Sequence, residues 1–125
     1  MIFGEHWISP EKYKKVRHCE NLLLVAFEGE RPVGFKLGFR KDENTFHSWL
    51  GGVQEEFRRQ GIAQALLDEQ ERVVHGMGLK RITFNTYDKF PEMIAFGLKN
   101  GYEPIGSEET NQGVKHHYLK LLDQG

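Results

Sequence analysis

Apolar residues follow two different patterns along this chain, and the change falls near its middle. Up to residue 53, short apolar runs alternate with small or polar residues, as expected for strands. The runs 21–28 and 33–39 flank the turn sequence EGERP and predict a hairpin. A third strand over 45–53 would complete an antiparallel meander. The second strand is predicted to bury one face, formed by Val33, Phe35, Leu37 and Phe39.

Residues 9–19 predict a short helix ahead of the first strand. Ser9 suits the N-cap position, and Pro10 suits the first helical position. An apolar stripe follows at a spacing of three residues, formed by Tyr13, Val16 and Cys19. Cys19 is the single cysteine of the chain, so no intramolecular disulfide can form. We interpret it as a small buried apolar residue.

From Gly61 onward the apolar period changes to that of a helix. One side of this helix is apolar, formed by Ile62, Ala63, Leu66, Leu67, Val73, Val74 and Met77. The opposite side is polar, formed by Gln64, Asp68, Glu71 and His75. After it come a strand over 80–87, a helix over 92–100 that ends at Gly101, and two short strands around the turn 109–113. A strand–helix–strand unit joined to a meander predicts a mixed sheet with helices on its faces.

The composition narrows the class of protein. The 125 residues suit one domain, which we assign to 1–125. The net charge of −1 argues against bulk binding to nucleic acid or to an anionic membrane surface. No apolar run approaches the roughly 20 residues that span a bilayer, and the N-terminal residues lack the apolar core of a signal peptide. Together with the single cysteine, these features predict a cytoplasmic location.

Two arginines and a glycine stand where the helix after the third strand begins, in the sequence EEFRRQGIAQ. The first turn of a helix has free backbone N–H groups, and with the helix dipole they form a site for phosphate. Gly61 and the small Ala63 would let phosphate oxygens approach the backbone, while Arg58 and Arg59 would add charged hydrogen bonds. Neither a P-loop nor a dinucleotide-binding glycine motif is present. For the loop in isolation, the alternative is a glycine that ends a turn beside solvated arginines.

The segment from Val53 to Ala63, VQEEFRRQGIA, resembles the acetyl-CoA signature of the GNAT superfamily of N-acetyltransferases, [Q/R]-x-x-G-x-[G/A]. The similarity continues in order along the chain. LLLVAFEGERPVGFKLGF resembles the second and third strands of the family, KRITFNTY the fifth strand, and MIAFGLKNGYEPIG the closing helix with its G-[FY]-x-x-x-G turn. The fold implied is α/β (α+β), the acyl-CoA N-acyltransferase fold, with a mixed, mostly antiparallel sheet flanked by helices.

The resemblance implies an enzyme that transfers the acetyl group of acetyl-CoA to a primary amine, by direct attack in a ternary complex and without a metal. In the family, a bulge on the fourth strand frees a backbone N–H group and splays that strand from the next. Residues 50–53 would hold the bulge, with the alternative that two glycines simply end the strand. The residues expected to bind the coenzyme are Gly51, Gly52, Val53, Arg58, Arg59, Gln60, Gly61, Ile62, Ala63, Gln64, Asn85 and Phe90.

Two departures from the family pattern bear on catalysis. Only residues 1–20 precede the strand at Asn21, which implies that the first strand or helix of the family is shortened or missing, with part of the acceptor site. The family often has a tyrosine, four residues before the glycine of the G-[FY] turn, that protonates the leaving thiolate. That position is Gly97 here. As substitutes we name His47 as general base and Tyr87 as general acid. The alternatives are a half-exposed strand histidine and an ordinary aromatic residue at a strand end.

Other functions remain open at this point. A domain of the same fold that binds acyl-CoA without catalysis would agree with Gly97 and the short N-terminal region. An unrelated protein that binds a small anion or a nucleotide would use the same loop. The acceptor would be a small-molecule or peptide amine, and an uncovered edge would favour a homodimer. His116 and His117 are neighbours on a strand and point to opposite faces, which disfavours a metal site.

Overall fold

Six strands and three helices are found in residues 10–122, the part of the chain that the computed structural model describes. In chain order they are α1 (Pro10–Lys14), β1 (Asn21–Glu28), β2 (Arg31–Asp42), β3 (Thr45–Val53), α2 (Ile62–Gly76), β4 (Arg81–Tyr87), α3 (Pro91–Lys99), β5 (Glu103–Thr110) and β6 (Gly113–Leu121). The predicted order of strands and helices is confirmed. Within these residues no helix is both long and apolar enough to cross a membrane.

The strands form one sheet in the order β1-β2-β3-β4-β6-β5. β3 and β4 are parallel, and every other neighbouring pair is antiparallel. Parallel neighbours need a crossover connection, which α2 supplies between β3 and β4. The predicted mixed, mostly antiparallel sheet is therefore confirmed, and its one parallel pair lies at the centre.

The two faces of the sheet carry separate apolar cores. On one face Phe46 and Ile82 are fully buried in the larger core, together with Val74 of α2 and apolar residues of α3. On the other face Phe35 and Val16 belong to a smaller core beside α1. α2 and α3 thus cover one face, and the segment around α1 covers part of the other. This arrangement matches the prediction of helices on both faces.

β2 is buried on both faces, which corrects the prediction of a single buried face. A Cβ atom at Gly34 would lie 3.1 Å from Cγ2 of Ile62, and one at Gly38 would overlap the ring of Phe46. The two glycines therefore allow α2 and Phe46 to approach the strand closely. A glycine has no side chain that could reveal its burial in a hydrophobicity pattern, so alternation alone suggested an exposed side.

The N-terminal region differs from its prediction in two respects. α1 ends at Lys14 rather than near Cys19. Cys19 is exposed, so its interpretation as a buried apolar residue is wrong. Val16 is buried although it follows the helix, because it packs beside Phe35. The N-cap assigned to Ser9, and any strand before it, lie outside the described residues.

Two polar residues of α2 are more buried than helical periodicity predicts. Glu71, assigned to the solvent side, accepts a hydrogen bond from Oη of Tyr102 at 2.8 Å and one from Nζ of Lys120 at 2.9 Å. Glu71 thereby ties α2 to β6 and to the residue that precedes β5. Gln70 is fully buried, and within residues 10–122 its side-chain amide has no hydrogen-bond partner.

Candidate functional site

A groove opens between the two parallel strands at the centre of the sheet. β3 and β4 pair only through residues 45–47 and 81–83. Beyond His47 the facing edges separate, and within residues 10–122 no strand pairs with either edge across the gap. Because the strands are parallel, the groove opens toward both of their carboxyl ends, where ligands of such units bind.

A bulge in β3 contributes to this separation. The pairing with β2 passes from Ser48 to Leu50, which leaves Trp49 as an extra residue. A bulge bends a strand and increases its twist, and this one follows directly after the last residues that pair with β4. The bulge was expected within 50–53, and that position is wrong, because those residues pair regularly with β2. The expected splay of the strands is present.

A pocket of about 900 Å³ lies at the end of β3, which is within the range of roughly 300–1,000 Å³ of small-molecule sites. Gly51 and Gly52 in its wall are exposed, so this part of β3 offers bare backbone to a ligand. The whole lining consists of Phe35, Leu50, Gly51, Gly52, Val53, Gln54, Glu55, Glu56 and Arg58.

α2 begins close to this pocket, and its first turn has no side-chain cap. Gly61 is the N-cap residue, with a φ of 82°. The N–H group of Ala65 donates to the carbonyl oxygen of Gly61 at 3.0 Å, which is the first hydrogen bond of the helix. The N–H groups of residues 62–64 come before it and so have no carbonyl partner within the helix. Arg59 has a φ of 64°, in the left-handed region. For a residue other than glycine this backbone conformation costs on the order of 1–3 kcal/mol, and such strained residues are found mostly at functional sites such as ligand clamps. Left-handed residues in such a turn form a backbone nest for an anion.

The side chains of the loop mostly bind the protein itself. Nε of Arg58 donates to the carbonyl oxygen of Val53 at 3.1 Å. Gln64 and Asn100 form a reciprocal amide pair, in which Nε2 of Gln64 lies 2.7 Å from Oδ1 of Asn100. The groups that remain for an anion are therefore the backbone N–H groups of the first turn and the exposed guanidinium groups of Arg58 and Arg59.

Arg31 holds the turn that leads into α2, and sequence reasoning missed it. Its guanidinium group donates to Oε1 of Gln54 at 2.8 Å and forms an ion pair with Glu56. It also lies over the ring of Phe57, 5.2 Å from the ring centroid. These contacts fix the 3-10 turn Glu55–Phe57. No sequence signal could have identified them, because only the pairing of β2 with β3 brings Arg31 to this turn.

His47 lies at the closed end of the groove. It is the last residue of β3 that pairs with β4, and its Nδ1 lies 2.8 Å from Oγ1 of Thr83. Strand alternation places it on the face opposite α2. Burial, with smaller contributions from Lys41, Lys115 and His117, lowers the pKa of His47 to about 4. The imidazole is therefore neutral at neutral pH.

The carboxyl end of β4 forms the other wall of the groove. Asn85 and Tyr87 alternate with Thr83 and lie on the same face as His47. Phe90, the N-cap residue of α3, has its ring centroid 6.5 Å from that of Tyr87. Nζ of Lys89 lies 5.4 Å from the centroid of the Tyr87 ring. The structure thus brings Tyr87 and Phe90 together, on the opposite side of the groove from residues 51–53.

Gly97, where related sequences often carry a tyrosine, has no room for a side chain. A Cβ atom there would lie 2.5 Å from Cζ of Phe84. Phe84 stacks on Tyr118 with ring centroids 5.0 Å apart, and Tyr102 approaches it edge-on at 5.2 Å. The glycine therefore allows α3 to pack closely on β4, and this position supplies no proton donor.

The histidines of β6 have separate partners. Nε2 of His116 contacts Oδ1 of Asp88, and Nε2 of His117 lies 3.0 Å from Oε1 of Glu108. Within residues 10–122, no three side chains of the types that bind metals converge on one point.

Comparison with known proteins adds evidence independent of this geometry. The model of the acetyltransferase (GNAT) family matches residues 3–102. The matched segment includes the whole groove and the loop at the start of α2.

Solved structures share the fold over most of their length. The ribosomal-protein-S18-alanine N-acetyltransferase from Escherichia coli superposes with a TM-score of 0.83 at 13% identity, over 94% of this chain and 79% of that one. An acetyltransferase from Bacillus cereus gives 0.73 at 25% identity, over 82% and 74%. The PaiA N-acetyltransferase from Thermoplasma acidophilum, in complex with coenzyme A, gives 0.72 at 20% identity, over 89% and 67%.

Proposed function

Since the chain belongs to the acetyltransferase (GNAT) family, we propose that it transfers the acetyl group of acetyl-CoA to a primary amine of a small molecule or peptide. The amine attacks the thioester directly in a ternary complex. One observation supports this most strongly. The groove joins a free strand edge on β3 to an uncapped helix N-terminus at its open end.

The residues of the groove fit coenzyme A. The N–H groups of residues 62–64, with the guanidinium groups of Arg58 and Arg59, would hold its pyrophosphate at the start of α2. The bare backbone of residues 51–53 would pair with the amide groups of its pantetheine arm, as a neighbouring strand would. Asn85 and Phe90 would line the arm from the β4 side. The coenzyme supplies an activated acetyl group.

His47 is the proposed contact of the attacking amine. Its pKa of about 4 keeps the ring neutral over the physiological range, so a ring nitrogen can accept a hydrogen bond from the amine. A base with so low a pKa takes up a proton only weakly. His47 would therefore orient the neutral amine, which forms a bond to the acetyl carbon as the carbon–sulfur bond breaks, while solvent removes the excess proton.

Tyr87 is the proposed proton donor to the departing thiolate. Gly97 has no side chain that could donate a proton, and Phe84 fills the space beside it. Tyr87 stands on the β4 wall of the groove and on the same face as His47. Its phenol hydroxyl is the proton-donating side chain that we place nearest to the leaving group.

Titration calorimetry with acetyl-CoA tests the donor site. We expect binding to the wild-type protein and a loss of affinity of about tenfold or more in Arg58→Glu, because a charged hydrogen bond becomes a repulsion. Arg17→Glu, at an exposed arginine next to α1, is the matched control and should bind normally. Absence of binding to the wild type, or equal binding by Arg58→Glu, would contradict the proposal.

A second candidate function is an acyl-CoA-binding module of the same fold without catalysis, and the filled space at Gly97 favours it. Release of free thiol across a panel of primary amines separates the two. Binding of acetyl-CoA with no thiol release for any amine supports the module. Competition by ATP but not by coenzyme A would instead indicate an unrelated nucleotide site.

A further inference from the structure

Lys36 lies in the middle of β2, directly opposite Gly51 of β3. Its side chain lies on the α2 face of the sheet, because it alternates with Gly34, whose Cβ position meets Ile62 of α2. The side chain leans over β3. Its Cγ is 3.7 Å and its Nζ is 3.9 Å from the point that a Cβ atom of Gly51 would occupy.

The amine of Lys36 has no close polar partner. Within residues 10–122 it makes no hydrogen bond and no contact ion pair. Burial lowers its pKa to about 8, against a weaker opposing attraction from Glu71 on α2. The side chain is half-buried, and its amine keeps some contact with solvent. Since the amine has no partner within the described residues, it is available to a partner from outside the chain.

The groove provides the place for such a partner. β3 is the one strand between Lys36 and the groove, and Gly51 offers no side chain to block the amine. A chain paired with the free edge of β3 would lie about 4.8 Å from it, the usual spacing of strands. An ammonium group placed over Gly51 is therefore within reach of a ligand on that edge.

The position of Lys36 along the groove indicates which part of a bound acetyl donor its side chain would contact. The start of α2 lies over Gly34, where Cγ2 of Ile62 is 3.1 Å from the Cβ position. Lys36 is two residues deeper toward the closed end, or about 7 Å along a strand. A donor with its phosphates at the start of α2 would present its arm, and not its phosphates, to Lys36.

We propose that Lys36 is a donor-binding residue, whose ammonium group crosses Gly51 and donates a hydrogen bond to an amide carbonyl of the pantetheine arm in the β3–β4 groove. This inference rests on the proposed function, since it takes coenzyme A as the ligand. It adds a side chain from a strand that does not border the groove.

Calorimetry with two ligands tests the inference. One is coenzyme A, and the other is its nucleotide half, which has the phosphates but no pantetheine arm. In Lys36→Met we expect the Kd for coenzyme A to rise by about ten- to a hundredfold, as for loss of a charged hydrogen bond, and the Kd for the nucleotide half to stay within about twofold. Lys36→Arg keeps the charge and should retain part of the affinity.

Lys41→Met is the matched control, because Lys41 is exposed on the same strand, and it should bind both ligands as the wild type does. Equal binding of coenzyme A by Lys36→Met and the wild type would overturn the inference. So would an equal loss for both ligands, which would place Lys36 at the phosphates. If the wild type binds no coenzyme A, the proposed function fails too. Lys36→Gln replaces Lys36→Met should the latter not fold.

Discussion

Replacing Lys36 by methionine should stabilise the protein, and the gain should depend on pH. Burial lowers the pKa of Lys36 from 10.5 to about 8. Between these values the unfolded chain binds more protons than the folded protein, so stability rises with pH there, and below pH 8 the full penalty is present. At about 1.36 kcal/mol for each pKa unit, the penalty is about 3 kcal/mol at pH 7 and about 2 kcal/mol at pH 9.

Urea unfolding at pH 7 and pH 9 measures this effect. We expect Lys36→Met to unfold at higher urea than the wild type at pH 7, with a difference in unfolding free energy that shrinks by about 1 kcal/mol at pH 9. Comparison of two variants at each pH cancels the titration of other groups, such as Tyr102, whose pKa is raised by burial. Lys41→Met should change neither value by more than about 0.5 kcal/mol.

Two results of the urea experiment would refute this reasoning. A difference that is the same at both pH values would mean that the amine of Lys36 is well solvated in the folded protein. A destabilised Lys36→Met at both pH values would mean that Lys36 serves the fold. A stabilised variant with weakened coenzyme binding would identify Lys36 as a residue kept for its ligand at the expense of stability.

Three further predictions concern residues around the site. Gly97→Ala should lower the unfolding free energy in urea by about 1–3 kcal/mol, because its Cβ atom would lie 2.5 Å from Phe84; an unchanged midpoint would contradict this. Glu71→Ala and Tyr102→Phe should each destabilise by about 1–3 kcal/mol and be non-additive together, since they share the 2.8 Å hydrogen bond; additive losses would contradict the coupling. The rate of thiol release should show no titration of His47 near pH 6.5, because its pKa is about 4; a limb near 6.5 that His47→Gln removes would refute this.

Local patterns predicted the elements of the fold well, and non-local contacts account for the errors. β3 begins and ends where its apolar and β-branched residues begin and end, at Thr45 and Val53. The burial of Gly34 depends on α2 and that of Gly38 on Phe46 of β3, and the alternation of apolar residues within β2 reveals neither contact. Cys19 lies beyond the end of α1 and is exposed, whereas Val16, also beyond that end, is buried beside Phe35. Each error concerns what a residue packs against, which periodicity does not specify.

In the candidate site, too, features set by local sequence were predicted, and features set by contacts between distant strands were not. The start of α2 at Gly61 was predicted from the local sequence and is confirmed, while the binding of an anion by this loop stays a prediction that rests on its small residues. The contacts of Arg31 with the turn after β3, and of Lys36 with Gly51, depend on the register between β2 and β3. Register arises from the pairing of whole strands, so neither residue stands out in the sequence. The predicted position of the bulge, within 50–53 instead of at Trp49, was wrong for the same reason.

The chemistry of the groove explains why the acceptor is harder to predict than the donor. The donor contacts we propose are chiefly backbone groups, the free edge of β3 and the N–H groups of residues 62–64. A backbone site requires only that side chains stay small or absent, which leaves a short, recognisable motif. In our proposal the acceptor is instead selected by side chains on the face that carries His47 and Tyr87, and these side chains come from different strands. Those side chains are free to differ among proteins of one fold, so a shared donor does not determine a shared acceptor.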